Sequence, residues 1–376
     1  MNGSAIPDSM LAAVYHGRGD VRTEEIPVPE PGPGEVLIRV AFSGVCGSDV
    51  TEYTAGPLLF HIGSEPHPIS GHSGPLVFGH EFAGYVVARG EGATIPIGTL
   101  VACGAGISCG QCRQCRRGKS NLCEEYYTLG FHRNGGLAEY CAAPADACVD
   151  ADALGVGPGL AGISQPMAIA VHSFHRGDPD AGDEVAVIGA GGIGAFLTYT
   201  AVEAAAEVTV LDVNPERLEL ARRLGAHHLL DAGELTPEEA LAKYFDCTYE
   251  VSGQPSALEM ARRFATRGDK LVVVGAQAPS TGVDCRAITL DELNVVGTSA
   301  HAIEVDLPEA LRVLASRDGG WDDVAPTAFP LADVVSEGLA GGGGRVKTVF
   351  APWARAAMPM SEADAKAREI PTHTSS

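Results

Sequence analysis

About the first 150 residues form a succession of short apolar stretches, each bounded by glycine and proline. This punctuation predicts a domain made mainly of β-strands joined by turns, such as the turn at 31–34. The predicted strands are Met10–Tyr15, Glu35–Ser43, Phe82–Arg89 and Leu100–Cys103. Between them, Thr54–Pro75 is rich in Gly, Pro, Ser and His, and it predicts a loop long enough to have a functional role.

The pattern changes near residue 180, where apolar strands begin to alternate with helical stretches. The predicted strands are Glu184–Ile188, Glu207–Leu211, Cys247–Val251, Lys270–Val274 and Asn294–Thr298. The predicted helices include Ala195–Ala206, which is rich in small residues, and Pro215–Leu224, which has proline in its first turn. Strands and helices in this alternation indicate a parallel sheet that is covered by helices on both faces.

Beyond residue 300, a helix at Val305–Ser316 and a strand at Val346–Phe350 are predicted to return to the first domain. The segment 352–376 is polar and Ala-rich and has no strand signal, so we expect it to be loosely ordered or to form a helix packed on a neighbour. The sequence therefore predicts a first domain at 1–165, a second at 166–300, a return to the first at 301–351 and a tail at 352–376.

Composition and charge exclude some classes of partner. Apolar residues make up 45% and charged residues 20% of the 376 residues, as in globular proteins, and two domains fit this length. Lys and Arg number 26 against 48 Asp and Glu, so the net charge is −22, which disfavours nucleic acid and anionic membranes. An export signal or membrane span is not evident, since the most apolar later stretch, Leu154–Phe174, is interrupted by Gln165-Pro166. We expect a cytoplasmic protein.

A glycine-rich turn joins the first strand of the second domain to the following helix. Its sequence is Gly189-Ala190-Gly191-Gly192-Ile193-Gly194, which fits the pattern G-x-G-x-x-G in its required context. Gly189 permits the tight turn, Gly191 lets the backbone approach a pyrophosphate, and Gly194 allows the helix to pack closely on the strand. The helix amino terminus offers free N–H groups to phosphates, so the turn predicts a dinucleotide site rather than a connection alone.

Asp212 ends the second strand of this domain, 23 positions after Gly189. A carboxylate at this position accepts hydrogen bonds from the ribose hydroxyls and repels a 2′-phosphate, which favours NAD over NADP. Arg217 lies one helical turn further on and is within reach of the same group. The alternative interpretation of Asp212 is a solvated end of a strand.

Four of the ten cysteines follow the spacing Cys109-x2-Cys112-x2-Cys115-x7-Cys123. Such spacing brings four thiolates around one point, which predicts a closed structural zinc site; an iron–sulfur cluster is the rival interpretation. Five of the other cysteines have no partner by spacing and are expected to pack as small hydrophobic residues: Cys103, Cys141, Cys148, Cys247 and Cys285. Loop histidines near these motifs, such as His61, His67 and His132, are expected to be mostly solvated.

Two shorter motifs complete the pattern: Gly44-Val45-Cys46-Gly47-Ser48-Asp49 and Gly79-His80-Glu81-Phe82-Ala83-Gly84. Together with the four-cysteine lobe and the glycine turn, in this order, they resemble the zinc-dependent medium-chain alcohol dehydrogenases. The resemblance extends from about Met10 to Phe350. It is greatest for the polyol and 2,3-butanediol dehydrogenase branch, because of Ser43–Asp49, Glu52-Tyr53, Gly56-Pro57, His67-Pro68 and the insertion before His80.

The resemblance implies a GroES-like β-rich catalytic domain and a Rossmann coenzyme domain with a doubly wound parallel sheet. It also implies an NAD-dependent oxidoreductase with two Zn²⁺ per chain, one catalytic and one structural. Cys46 and His80 would hold the catalytic zinc, with Glu81 as a further ligand or a close neighbour. Ser48 would pass on the substrate proton, and Asp49 would brace His80 or the loop. The implied assembly is a homodimer or homotetramer acting on a small alcohol or ketone.

One position departs from the family pattern. Near the domain junction the family has Cys or Glu before proline, and here Gln165 precedes Pro166. Gln is neutral, so the site would have one negative charge fewer than a Glu version. Gln165 could ligate the metal, contact the substrate or weaken metal retention.

Three functions therefore remain open from the sequence. The favoured one is a dehydrogenase of secondary alcohols, diols or polyols. Gln165 also allows a tailoring enzyme of secondary metabolism with an unusual substrate or a non-redox step. A non-catalytic protein that keeps only nucleotide and structural zinc is the third.

Overall fold

The computed structural model describes residues 6–235, 244–265, 267–276, 282, 284–340 and 344–370. The chain divides into two compact units. Unit 1 comprises Met1–Gln165 and His301–Ser376, and unit 2 comprises Pro166–Ala300.

The amino-terminal part of unit 1 consists mainly of strands. The strands are β1 (Ser9–Gly17), β2 (Asp20–Pro27), β3 (Glu35–Val45), β4 (Leu76–Val77), β5 (Glu81–Arg89), β6 (Leu100–Cys103), β7 (Gly106–Ile107), β8 (Tyr127–Thr128), β9 (Tyr140–Pro144) and β10 (Cys148–Asp150). From residue 6 onward this part also has two α-helices, α1 (Gly47–Ala55) and α2 (Pro158–Gly162). All four predicted strands are confirmed, whereas α1 was not anticipated.

Unit 2 contains a six-stranded sheet in which every neighbouring pair is parallel. The strands are β11 (Glu184–Ile188), β12 (Glu207–Asp212), β13 (His228–Asp231), β14 (Cys247–Glu250), β15 (Lys270–Val273) and β16 (Asn294–Gly297). The helices within the described residues of this unit are α3 (Ser164–Gly177), which begins at the end of unit 1, α4 (Gly192–Glu203), α5 (Pro215–Arg223), α6 (Pro255–Phe264) and α7 (Cys285–Leu290). The spatial order β13-β12-β11-β14-β15-β16 is the 3-2-1-4-5-6 order of the Rossmann fold.

The carboxy-terminal part of the chain completes unit 1. It contains α8 (Ile303–Ser316), β17 (Thr327–Pro330), β18 (Thr348–Ala351), β19 (Met358–Pro359) and α9 (Met360–Ala367). The largest sheet has the order β10-β6-β5-β3-β18-β17-β19, with β9 also paired to β3. Strand β3 lies in the middle, and its nearly continuous apolar sequence EVLIRVAFSGV reflects burial along almost its whole length.

The structure moves the start of one predicted helix and selects one of the two expectations for the segment 352–376. Helix α4 begins at Gly192 rather than at Ala195, so the last glycine of the G-x-G-x-x-G turn lies inside the helix. In the segment 352–376 a helix is present, α9, which packs on α2 and buries Met360, Ala363 and Ala367. The expectation of a helix packed on a neighbour is therefore confirmed, and the segment also contains a two-residue strand without a sequence signal, β19, which pairs with β17. Residues 371–376 lie outside the described residues.

Among the described residues, none of the helices combines the length and the apolar character that a membrane span requires.

Candidate metal and dinucleotide sites

The pairing of β3 with β5 brings the two short motifs of unit 1 together. In this antiparallel pair Gly44 lies opposite Glu81. Cys46 follows two residues after Gly44, at the start of α1, and His80 precedes Glu81 directly. Gly44 is required here because a Cβ at this position would overlap the carboxylate of Glu81.

Cys46, His80 and Glu81 each place a potential ligand atom within 4.8 Å of the others. His80 and Glu81 are 5% and 1% exposed, and Cys46 is half-buried. A thiolate, an imidazole and a carboxylate are all zinc ligands, and three protein ligands leave a fourth position open. The donor set therefore fits a catalytic zinc site.

Asp49 is fully buried and contacts both ligand-bearing segments. Its Oδ2 accepts a hydrogen bond of 2.8 Å from the backbone N–H of Cys46, and its Oδ1 lies 3.6 Å from Nδ1 of His80. Burial alone would lower the pKa of His80, but the Asp49 carboxylate and then Cys46 outweigh it and raise that pKa well above its usual value. A carboxylate beside one imidazole nitrogen fixes the tautomer that leaves the other nitrogen free for a metal. Asp49 thus lies where the sequence interpretation expected it.

Lys347, directly before β18, was not anticipated as part of this site. Its Nζ forms an ion pair with Oε2 of Glu81 and donates a hydrogen bond of 2.9 Å to the carbonyl of Val45. The lysine side chain is 4% exposed. The sequence shows Lys347 as a charged residue within the predicted strand Val346–Phe350, which does not reveal a partner so far away along the chain.

Ser48 and Gln165, the two remaining candidate residues of this site, lie on different helices. Ser48 lies in α1, and among the described residues its buried Oγ has no hydrogen-bond partner. Gln165 is half-buried in the first turn of α3, where unit 1 ends. Their roles at the metal site remain predictions.

An aromatic cluster borders His80. The ring of Phe131 meets the His80 ring edge-on at 4.7 Å between centroids and stacks on Phe60 at 4.5 Å. Beyond Phe131, the rings of His132 and His67 are 4.8 Å apart. Burial, followed by His67 and His61, lowers the pKa of His132 to about 4, so this histidine is not simply solvated as the sequence suggested.

The four cysteines of the lobe converge as their spacing predicts. All four sulfur atoms lie within 4.8 Å of one another, with Cys112 Sγ 3.5 Å from Cys115 Sγ and 3.9 Å from Cys123 Sγ. A tetrahedral site with Zn–S bonds of about 2.3 Å has sulfur–sulfur edges of about 3.8 Å. Backbone N–H groups point at three of the sulfurs, as at Cys109, whose N–H donates to Cys123 Sγ at 3.2 Å. The lobe fits a closed structural zinc site.

We expect Cys112→Ser to remove the lobe zinc, because a closed four-ligand site loses its geometry with one ligand. Zinc content should fall by one ion per chain. The midpoint of thermal unfolding should fall by roughly 5–10 °C, because a loss of about 3 kcal/mol in the free energy of unfolding produces such a shift in a unit of this size. Elemental analysis and calorimetry measure both. The control is Cys285→Ser at an exposed cysteine, and an unchanged zinc content in Cys112→Ser would contradict the assignment.

The glycine turn of unit 2 has the geometry that its sequence requires. Gly189 has a φ of +100°, which favours glycine. A Cβ on Gly194 would overlap the carbonyl of Gly189, whereas a Cβ on Gly191 would meet open space. Gly191 caps α4, followed by Gly192 and Ile193, so the helix amino terminus is accessible to a phosphate.

Asp212, at the end of β12, forms hydrogen bonds both to the glycine turn and to the backbone that follows β12. Its Oδ2 accepts a hydrogen bond of 2.7 Å from the N–H of Ala190, and its Oδ1 accepts one of 2.8 Å from the N–H of Asn214. Arg217 Nη1 lies 3.9 Å from Asp212 Oδ2, as its position in the sequence suggested. Each carboxylate oxygen has a second lone pair available for a ribose hydroxyl.

A Rossmann unit with an open glycine turn, together with a β-rich unit that contains two sets of zinc-type ligands, defines a zinc-containing, dinucleotide-dependent oxidoreductase. Two family models match the chain: "Alcohol dehydrogenase GroES-like domain" at residues 32–153 and "Zinc-binding dehydrogenase" at residues 192–316. The L-threonine 3-dehydrogenase of Saccharopolyspora erythraea is 36% identical over 281 residues, 73% of this chain and 78% of that protein. The sorbitol dehydrogenase of Bacillus subtilis is 29% identical over 322 residues, 83% of this chain and 87% of that protein.

Solved structures of several dehydrogenases are also similar to the structure of this chain. The 2R,3R-butanediol dehydrogenase of Bacillus subtilis superimposes with a TM-score of 0.82 at 27% identity, covering 92% of this chain and all of that one. An Escherichia coli alcohol dehydrogenase complexed with NADH gives 0.82 at 26% identity, with the same coverage. A zinc-binding dehydrogenase of Sinorhizobium meliloti bound to NADP gives 0.80 at 26%, again with the same coverage.

The chain belongs to the zinc-dependent medium-chain alcohol dehydrogenase family, in its polyol dehydrogenase branch. It is an oxidoreductase with a GroES-like domain and a Rossmann-type domain, as the sequence predicted. Zinc and a nicotinamide dinucleotide are its cofactors.

Proposed function

We propose that this protein is an NAD-dependent dehydrogenase of small secondary alcohols that have a polar group on the adjacent carbon, such as diols and polyols, or of the matching ketones. The observation that carries the proposal is the convergence of Cys46, His80 and Glu81, with the buried Ser48 hydroxyl two residues after Cys46, which has no hydrogen-bond partner in the described part of the chain. The names of the relatives support the substrate class, because threonine, sorbitol and 2,3-butanediol all have a secondary hydroxyl beside a second polar group.

Each residue has a distinct task in this reaction. Cys46, His80 and Glu81 would hold zinc, which would supply a Lewis acid that lowers the pKa of a substrate hydroxyl. Ser48 Oγ would accept the hydroxyl proton while its own proton leaves to water. Asp49 keeps His80 in the required tautomer and ties the Cys46 backbone to α1. NAD at the glycine turn supplies the hydride acceptor.

The direct test is NADH formation by zinc-loaded enzyme with a panel of 1,2- and 2,3-diols, polyols, L-threonine and simple secondary alcohols. We expect turnover with at least one vicinal substrate, with a kcat/KM at least tenfold above that of the matching mono-alcohol. Absence of turnover on the whole panel, in both directions and with two zinc ions bound, would contradict the proposal. A product of changed mass formed without NAD would instead favour the non-redox tailoring enzyme.

Asp212 is proposed to set the preference for NAD. We expect Asp212→Asn to lower the ratio of kcat/KM for NAD to that for NADP by roughly 10- to 100-fold, or about 1.4–2.8 kcal/mol. The variant keeps one side-chain acceptor but loses the charge that repels a 2′-phosphate, and it frees Arg217 to face that group. The matched control is Asp246→Asn, just before the amino end of β14, whose carboxylate accepts the N–H of Glu184. A ratio unchanged in Asp212→Asn would show that Asp212 does not select the coenzyme.

Gln165 is proposed to weaken metal retention relative to an acidic residue. We expect Gln165→Glu to slow the loss of the catalytic zinc to a chelator by roughly tenfold, because it restores the acid that the family pattern has at this position and adds a negative charge that favours the cation. Zinc release can be followed with a colorimetric indicator. Gln254→Glu, at an exposed position of unit 2, adds the same charge and serves as the control. If both variants release zinc at the rate of the parent enzyme, Gln165 does not act on the metal.

We also propose that the protein is a cytoplasmic homodimer or homotetramer. Sedimentation of the purified enzyme tests the assembly, and a monomer at micromolar concentration would contradict it.

A further inference from the structure

Two cysteines that the sequence left without partners lie directly opposite each other in unit 1. Cys103 ends β6, Cys148 begins β10, and the two are register partners in this antiparallel pair. Directly opposite residues have side chains on the same face of the sheet. Cys103 packs in the core as a small hydrophobic residue, as expected, and the register adds a neighbouring thiol that the sequence spacing did not reveal.

The hydrogen bonds on either side define the type of pair. The N–H of Gly104 donates to the carbonyl of Ala147 at 2.9 Å, and the N–H of Ala151 donates to the carbonyl of Leu100 at 2.9 Å. Because hydrogen-bonded and non-hydrogen-bonded pairs alternate, Cys103 and Cys148 form a non-hydrogen-bonded pair, with Cα atoms about 4.5 Å apart. That separation lies within the range of about 4.4–6.8 Å found in disulfides.

We propose that Cys103 and Cys148 are a redox modification site that closes a cross-strand disulfide when a peroxide oxidises the folded enzyme. Cys148 is half-buried and Cys103 is fully buried, so Cys148 meets the oxidant first. Its sulfur attacks one peroxide oxygen to give a sulfenic acid and releases the other oxygen as water. The Cys103 sulfur then displaces the hydroxyl of this sulfenic acid, so two thiols lose two electrons and hydrogen peroxide becomes two waters.

The disulfide would join the two ends of residues 104–147, the segment that contains the four-cysteine lobe. In the reduced enzyme, Cys148 Sγ lies 3.5 Å from the carbonyl of Pro144. The Cys103 thiol, burial, Cys141 and Asp146 together raise the pKa of Cys148 well above its usual value. Its thiolate is therefore scarce at neutral pH, so the reaction with peroxide is slow there and becomes faster as the pH rises.

The test is peroxide treatment of the zinc-loaded enzyme at pH 8.5, followed by denaturation, zinc chelation, alkylation and digestion with trypsin and a protease that cleaves after acidic residues. Cleavage after Asp146 separates Cys141 from Cys148. We expect a peptide pair linked through Cys103 and Cys148, two hydrogens lighter than the reduced pair, while circular dichroism remains native. A Cys103–Cys141 link, alkylation of both thiols, or a link that appears only after unfolding would overturn the proposal.

Cysteine variants distinguish the effect of the Cys103–Cys148 disulfide from oxidation elsewhere in the enzyme. In the oxidised parent enzyme, unfolding after chelation should be at least tenfold slower than in the reduced enzyme. Cys148→Ser should abolish this difference, whereas Cys285→Ser, at an exposed cysteine of α7, should keep it. Equal unfolding rates for the oxidised and reduced parent enzyme would show that no Cys103–Cys148 disulfide holds this segment, and would overturn the proposal.

Discussion

Replacing Cys46 with alanine is expected to lower kcat/KM by at least about a thousandfold, or about 4 kcal/mol. The variant loses one of three converging ligands, and a Lewis acid at a reacting oxygen contributes several kcal/mol to transition-state stabilisation. Zinc content should fall from two ions per chain to one, because the four-cysteine lobe keeps its own. Steady-state kinetics and elemental analysis on the same sample measure both effects.

The control for this variant is Cys141→Ala, which removes a buried thiol of unit 1 outside both clusters. It should keep both zinc ions and change kcat/KM by less than about threefold. Two outcomes would contradict the site: full activity in Cys46→Ala, or retention of two zinc ions without activity.

Replacing Lys347 with methionine is expected to destabilise the metal-free protein by about 3–5 kcal/mol. The substitution leaves Glu81, which is 1% exposed, without its buried counter-cation, and an uncompensated buried charge costs about this much. Zinc should offset much of the loss, because a bound cation neutralises the same carboxylate. Denaturant unfolding of the metal-free and zinc-loaded forms measures the difference.

Two further variants sharpen this test. Lys347→Met combined with Glu81→Gln removes both charges and should recover at least half of the lost stability. Lys270→Met breaks a surface ion pair, in which Nζ of Lys270 lies 4.0 Å from Oδ2 of Asp178. This substitution should change the free energy of unfolding by no more than about 0.5 kcal/mol. If Lys347→Met destabilises the zinc-loaded and metal-free forms equally, the ion pair is independent of the metal.

Local signals explain which parts of the structure could be predicted from the sequence. The strands Leu100–Cys103 and Glu184–Ile188 have the predicted bounds, because each is a short apolar run next to glycine or a polar turn. The glycine turn and the four-cysteine lobe are equally local, since spacing alone brings their groups together.

Helix α1 escaped prediction because its buried residues are polar. Asp49 and Glu52 occupy its inner face, so no apolar period of 3.6 residues is visible. The helix begins where the Asp49 carboxylate accepts the N–H of Cys46, an interaction that a hydrophobic pattern does not reveal.

Long-range pairing explains the remaining omissions. Lys347 reaches Glu81 only because β18 pairs with β3 and β3 with β5, and Cys103 faces Cys148 only through the register of β6 and β10. These pairings join segments far apart along the chain, and the spacing within either segment does not show which residues of the other will lie opposite.

The discontinuity of unit 1 has a consequence for biosynthesis. Residues up to 165 leave the ribosome first, and the complete Rossmann unit follows before β17–β19 are made. Until β18 emerges, only the Ser43–Val45 end of the β3 edge shared by β9 and β18 lacks its strand partner, and Glu81 lacks Lys347 beside it. Zinc that binds the nascent chain early would neutralise this carboxylate before Lys347 is translated. Metal supply during translation should therefore affect the yield of folded enzyme more than the same metal added afterwards.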